Sequence, residues 1–212
     1  IHYTPLIFIL IIICYYSFFT RDEYTDEIKI EAHQILSPIN IINKEIIDQN
    51  IIDIIKNSNS DYIIFAENNF PRLIDKNNFS DLNKYIKDNV KVIIGGTTFK
   101  NDHYYNSFLL LEKNKIKNFD KKILVPFGEF LPFRKYLYFM ELISGSSDFE
   151  PGNIDRILTT KDNLNILPII CYEIIFDQIL DNINEKKIDI IINISNDSWF
   201  GNKTGPYQHF YL

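Results

Sequence analysis

Two kinds of hydrophobic pattern run along the chain, and they meet near residue 20. From Tyr3 to Phe19 there is no charged residue, and almost every position is Ile, Leu, Phe, Tyr or Cys. As a helix rising about 1.5 Å per residue, this run measures about 26 Å, slightly short of a bilayer core of roughly 30 Å. Neither a basic start nor a small-residue cleavage site frames it, so it reads as a retained membrane anchor rather than a signal peptide. A buried core segment of a soluble domain is the alternative. The residues after Thr20 are strongly polar, and Thr20–Ile28, acidic and poor in apolar residues, reads as a hinge. The pattern predicts a transmembrane helix over residues 1–20 and a separate domain over residues 21–212.

Within that domain short apolar and β-branched runs alternate with helix-length segments. Ile28–His33, Tyr62–Phe65, Val90–Ile94, Ser107–Leu111, Leu164–Ile170 and Ile188–Ile194 read as strands, and Ile39–Lys56, Asn77–Asp88, Arg134–Ile143 and Ile174–Asn184 as helices. This alternation predicts an α/β layered domain whose central strands are buried on both faces. Ile188–Ile194, interrupted only by Asp189 and Asn193, reads as a central strand. A turn at Glu112–Lys115 adds a hairpin, so the sheet is expected to be mixed.

Composition narrows the function classes. A chain of 212 residues with 46% apolar positions can bury a core without disulfides or a structural metal. With 28 Asp plus Glu against 22 Lys plus Arg, it carries no electrostatic footprint for nucleic acid. Cys14 lies in the apolar run and Cys171 at the end of a strand, so no disulfide between them is expected.

The reactive residue types sit at strand ends. Glu67 follows Tyr62-Ile63-Ile64-Phe65, Lys121 follows Lys117-Asn118-Phe119, and Cys171 follows Leu167-Pro168-Ile169-Ile170. In α/β sheets, sites are built there. At an unperturbed pKa near 8.5 only about 3% of a cysteine is thiolate at pH 7, so a nucleophilic cysteine needs help. A carboxylate can take the thiol proton, and a lysine ammonium can favour the thiolate and then stabilise the oxyanion formed when a carbonyl is attacked. Glu, Lys and Cys make a self-consistent acyl-transfer set. Lys122 is the competitor for the lysine role, because neighbouring strand residues point to opposite faces.

The strings around these residues are specific. Ala66-Glu67 with Pro71 downstream, Lys121 leading to Val125-Pro126-Phe127-Gly128-Glu129, Ile170-Cys171-Tyr172-Glu173, and Asn196-Asp197-Ser198-Trp199-Phe200-Gly201 with Gly205-Pro206 and Gln208-His209 together resemble the apolipoprotein N-acyltransferases. These are the membrane-embedded branch of the nitrilase-like carbon-nitrogen hydrolase superfamily. The resemblance covers about residues 28–212 and implies an αββα sandwich behind an N-terminal transmembrane helix, on the periplasmic side of the bacterial inner membrane. It implies acyl transfer from a phospholipid donor to the N-terminal amine of a diacylglyceryl lipoprotein acceptor, with no metal and no cofactor.

Carried over by position, Glu67 matches the general base, Lys121 the oxyanion stabiliser and Cys171 the nucleophile that holds the acyl group as a thioester. Glu129, Tyr172 and Glu173 match supporting residues, and Trp199 an aromatic of the substrate entrance. For Glu129 the alternative is a carboxylate that caps the loop or pairs with Lys121 or Arg134, and for Trp199 a core or entrance-loop aromatic. Family members carry further transmembrane helices before this segment and further strands and a helix after it, so the chain is expected to be truncated at both ends. A nitrilase-like amidase acting on a small amide and an inactive remnant are the competing functions.

The uncharged run gives the first testable outcome. On carbonate extraction of membranes, the chain stays in the pellet through Tyr3–Phe19. Release of the intact chain into the supernatant would favour the buried-core reading.

Overall fold

The computed structural model describes residues 27–35, 44–74, 81–141, 147–152, 156–179 and 188–196. Among the described residues eight strands form two sheets. The first sheet runs in the order β1 (Ile30–His33), β2 (Tyr62–Phe65), β3 (Lys91–Lys100), β4 (His103–Glu112) and β5 (Lys115–Asp120). Its first three strands are parallel and its last three antiparallel, so the sheet is mixed as the hairpin implied. The second sheet comprises β6 (Leu158–Thr159), β7 (Asn165–Ile170) and β8 (Ile190–Ile194), with β6 antiparallel and β8 parallel to β7.

Strand alternation distributes the apolar residues to two faces of each sheet. On one face of the first sheet Ile63, Phe65, Val92, Ile94, Leu109 and Leu111 pack against helix α1 (Lys44–Asn57). That helix contributes Ile47, Ile51 and Ile55, a stripe at four-residue spacing. On the other face Tyr62, Ile93, Phe108, Leu110 and Phe119 meet Ile166, Ile170, Ile192 and Ile194 of the second sheet. The outer face of the second sheet carries Leu167 and Ile169 against Ile123, Ile179 and Ile188. Helix, sheet and sheet are thus three of the four expected layers. The segment Ile174–Asn184, expected as a helix, departs from expectation where it is described. Cys171–Ile175 and Asp177–Ile179 are 3-10 turns, and residues 180–187 lie outside the described residues.

Other boundaries differ for identifiable reasons. β3 runs six residues past Ile94, and β4 begins four residues before Ser107, because the two pair in continuous register from Val92↔Leu111 to Lys100↔His103. Asn101 and Asp102, both at positive φ, close that hairpin as a two-residue turn, for which Asn and Asp are suited. The second hairpin closes at Lys113-Asn114, inside the expected turn, with Glu112↔Lys115 as its last pair. Of Arg134–Ile143, the described residues hold a four-residue helix, α2 (Arg134–Leu137), continued by a 3-10 turn over Tyr138–Met140, and residues 142–143 lie outside them. Of Asn77–Asp88, residues 81–83 are helical and residues 84–89 are not. Among the described residues β8 borders only β7, and Ile191 is 55% exposed, so β8 is not the fully covered central strand its composition suggested. The apolar run of residues 1–20 lies outside the described residues, and among those described no helix is long and apolar enough to cross a membrane.

One close approach ties β3 to the turn after β2. A Cβ added at Gly95 would lie 2.5 Å from the Glu67 Cα and 2.7 Å from the Asn68 nitrogen. The glycine N–H donates to the Ala66 carbonyl at 3.3 Å, and the Phe70 N–H donates to the Gly95 carbonyl at 3.1 Å. No side chain fits there without moving the turn. Gly95→Ala is expected to cost about 2 kcal/mol or more, the scale of overpacking against backbone, read as a fall in the urea midpoint at unchanged slope.

Candidate active site

Each reactive side chain is delivered by the end of a strand. Glu67 lies two residues past β2, Lys121 directly follows β5, and Cys171 directly follows β7. The structure brings the first two together with Glu129 in one buried cluster. The Lys121 Nζ is 2.9 Å from Glu129 Oε2 and 3.9 Å from Glu67 Oε1, and the lysine side chain is 1% exposed. Lys122, the register competitor, instead gives its backbone N–H to Glu173 Oε1 at 3.0 Å.

The Lys121 rotation is set by its neighbours in sequence and space. Its N–H donates to the Asn106 carbonyl at 2.8 Å, and its own carbonyl accepts from the Gly152 N–H at 2.8 Å. Asp120, the buried residue before it, accepts from the Ser107 hydroxyl at 2.6 Å and the Asn118 amide at 2.8 Å, and pairs with Lys100 at 2.8 Å. A Cβ at Gly152 would lie 2.2 Å from the Asp120 carbonyl oxygen, so this peptide is clasped from both sides.

The Pro126-Phe127-Gly128-Glu129 string folds as a tight loop. The Phe127 N–H donates to the Phe130 carbonyl at 2.7 Å, the Glu129 N–H to the Val125 carbonyl at 2.9 Å, and Phe127 takes a left-handed φ of 64°. In return the Val125 N–H donates to Glu129 Oε2 at 2.8 Å. Loop-capping and lysine-pairing are therefore the same carboxylate acting at once. Arg134, the other candidate partner of Glu129, is engaged by Asp148 and Glu141.

Burial pushes the Glu67 carboxyl above its ordinary range, and the Lys121 charge and the Asn106 hydrogen bond only partly offset this. For Lys121, burial opposes the charge, but Glu129 and Glu67 outweigh it and hold the ammonium above its ordinary value. The Cys171 thiol, 7% exposed, is pushed up to about 11, first by burial and then by the Glu67 charge, against the pull of Lys121. Cys171 is a free thiol at a left-handed φ of 54°, an uncommon conformation for a non-glycine residue and one that turns the chain sharply off β7.

Glu173 does not join the Lys121 cluster. It is 0% exposed, and it accepts backbone N–H groups from Lys122 at 3.0 Å, Ile123 at 3.2 Å and Ile170 at 3.1 Å. The Arg156 guanidinium closes on it at 3.1 Å and lies over the Phe119 ring at 4.8 Å. It thereby fastens the chain after Lys121 to the turn that carries Cys171. Tyr172, half-buried in that turn, packs against the core between the sheets. Trp199 lies outside the described residues, as does Cys14.

Asn106 and Arg156 had no place in the sequence reading, and Asn196 stood there only within its motif string, without a role. Asn106, Asn196 and Arg156 all contact the cluster or its tether: the Asn106 amide donates to Glu67 Oε1 at 2.8 Å and to Glu129 Oε1 at 2.7 Å, and the Asn196 N–H donates to Glu67 Oε2 at 3.2 Å. The available signal for Asn106 was a polar residue directly ahead of the apolar run Ser107–Leu111. Among the described residues no group of three His, Cys, Asp or Glu side chains is placed to hold a metal.

Residues 54–212 match the carbon-nitrogen hydrolase family model. The chain is 41% identical over 138 residues to an apolipoprotein N-acyltransferase of Rickettsia typhi, covering 62% of this chain and 28% of that protein. It is 32% identical over 234 residues to one of Wigglesworthia glossinidia brevipalpis, covering 98% of this chain and 46% of that protein. The chain spans less than half the length of these curated relatives. Among solved structures, a carbon-nitrogen hydrolase from Helicobacter pylori shares the fold with a TM-score of 0.60 at 13% identity, over 87% of this chain and 66% of that one. The nitrilase-superfamily protein Nit3 of Saccharomyces cerevisiae does so with 0.56 at 19% identity, over 87% and 69%.

The electrostatics predict a pH-dependent cost. Lys121→Met leaves the buried Glu67 and Glu129 without their cation, and about 3 kcal/mol of stability is lost at pH 8. The loss shrinks toward pH 5, because Glu67, whose folded carboxyl is already displaced upward, takes a proton instead. Lys122→Met changes stability by less than about 0.5 kcal/mol at either pH. Urea titrations of both variants at the two pH values give the comparison.

Proposed function

This chain belongs to the carbon-nitrogen hydrolase family, and we propose that it carries the catalytic machinery of an apolipoprotein N-acyltransferase working through a thioester on Cys171. The observation that carries this reading is the buried Lys121 ammonium held between Glu129 at 2.9 Å and Glu67 at 3.9 Å, with Cys171 under the electrostatic influence of Glu67 and Lys121. Such a set needs no metal to run acyl transfer.

The chemistry follows from the charge states. A thiol with a pKa of about 11 is thiolate in only about one molecule in 10⁴ at pH 7, so a base must act as the nucleophile attacks. Glu67 suits that role, because burial raises its proton affinity toward that of an effective base. In the first half-reaction Glu67 takes the Cys171 proton while sulfur bonds to the ester carbonyl carbon of a phospholipid. The oxyanion is met by the Lys121 ammonium. Collapse breaks the ester C–O bond, Glu67 returns the proton to the departing alkoxide, and lysophospholipid leaves. In the second half-reaction the lipoprotein amine attacks the thioester, Glu67 accepts the amine proton, and the C–S bond breaks to give the amide. The proton then passes to the sulfur.

In this reading Glu129 is the fixed counter-ion that keeps Lys121 charged and oriented, while Glu173 and Tyr172 hold the nucleophile turn. By its motif string, Trp199 is assigned in this reading to substrate binding. The uncharged run Tyr3–Phe19 anchors the domain in the inner membrane, with the site on the periplasmic side, where a phospholipid donor and a diacylglyceryl lipoprotein acceptor are both presented.

The test is mass spectrometry of the 212-residue chain in detergent with phospholipid and a diacylglyceryl peptide. An acyl mass on Cys171, discharged to the peptide amine, is expected. Cys171→Ala and Cys171→Ser abolish it, Cys14→Ser has little effect, and Lys121→Met slows it roughly 10²-fold or more. Turnover of a small amide with no acyl transfer to the peptide would favour an amidase, and absence of any acyl mass would sink both.

A further inference from the structure

The two carboxylates of the site are linked by one side chain. The Asn106 Nδ2 donates to Glu67 Oε1 at 2.8 Å and to Glu129 Oε1 at 2.7 Å, and the same residue's main-chain carbonyl accepts the Lys121 N–H at 2.8 Å. One residue of β4 thus touches all three charged members of the cluster. It is itself buried, and its strand neighbour Ser107 fixes Asp120, the residue before Lys121, at 2.6 Å.

We propose that Asn106 is a positioning residue of this site, whose amide keeps Glu67 unprotonated and aimed as a base by separating it from Glu129. The argument is one of donors and acceptors. An amide nitrogen offers two hydrogens and no lone pair, so it matches an acceptor oxygen on each side and opposes a carboxyl O–H pointed at it. Two carboxylates placed together without such a group tend to share one proton, and a Glu67 that already holds a proton cannot take one from Cys171.

Among the described residues, the other groups facing Glu67 do not replace this contact. Lys121 approaches from the end of β5 at 3.9 Å, beyond a direct hydrogen bond, and Glu129 faces from the loop after it. The Asn196 N–H, after β8, donates to the other oxygen at 3.2 Å, and Cys171 faces from the turn after β7. Of these, Asn106 alone gives Oε1 a short hydrogen bond. This role rests on the reading of Glu67 as the base, and the test separates the two.

The experiment follows the Glu67 carboxyl by ¹³C NMR in the 212-residue chain in micelles, assigned by its loss in Glu67→Gln. In Asn106→Leu, which removes both donors, the titration midpoint is expected to rise by about one pH unit or more, since a hydrogen bond to the charged form is lost. Asn106→Ser, small enough to be tolerated and able to donate once, is expected to give a smaller rise and carries the test if the leucine variant does not fold. An unmoved midpoint in the folded variants would overturn the proposal, because a purely structural asparagine would lower the folded fraction without moving the titration. The acid limb of Cys171 thioester formation is then measured against pH. A limb that moves with the midpoint supports both assignments. A midpoint that rises while the limb stays fixed keeps the Asn106 role and removes Glu67 as the base.

Discussion

A buried ammonium is the constraint on which the rest of this structure depends. Lys121 is almost completely shielded from water, and an unpaired cation there would cost several kcal/mol. Glu129 and Glu67 supply the compensating charge, but two carboxylates in the same low-dielectric space then require donors of their own. Asn106, the Asn196 N–H and the Val125 N–H meet that need. Each comes from a different part of the chain, and so β4, the segment after β8 and the Val125–Phe130 loop are all committed to one cation.

A second set of contacts turns that cluster into a site. The buried Glu173 holds three backbone N–H groups, from Lys122, Ile123 and Ile170, and Arg156 neutralises it. The chain leaving Lys121 in the first sheet and the turn bearing Cys171 in the second are thereby fixed to each other across the layer boundary. The left-handed turn at Cys171 stores strain that this tether is suited to hold. The two buried carboxylate centres, one around Lys121 and one around Glu173, divide the work between charge and position.

Burial acts on the thiol as well. Burial and the Glu67 charge raise the Cys171 thiol to about 11, so it is almost wholly protonated at neutral pH. Under the proposed thioester reading, proton removal by Glu67 then belongs to the attacking step, because almost no thiolate stands ready beforehand.

What the sequence by itself determined is what depends on local periodicity and short spacing. The α/β alternation, the strands Tyr62–Phe65 and Leu164–Ile170, the turn at residues 112–115, and the placement of Glu67, Lys121 and Cys171 at strand ends are all legible because neighbours in the chain decide them. Tertiary structure alone decided what depends on residues far apart meeting. The length of the β3–β4 hairpin followed from cross-strand register, not from apolar content. The demotion of β8 from a central strand depended on which neighbours it finds among the described residues. The separate partners of Glu129 and Glu173, two glutamates that look equivalent beside their motifs, are set by contacts reaching 17 to 51 residues along the chain for Glu173, whereas Glu129 meets Lys121 and Asn106. Asn106 is the clearest case. A polar Asn-Ser pair ahead of an apolar run has no meaning until the fold brings two carboxylates onto the asparagine, because a hydrogen bond is specified by position in space and not by separation in sequence.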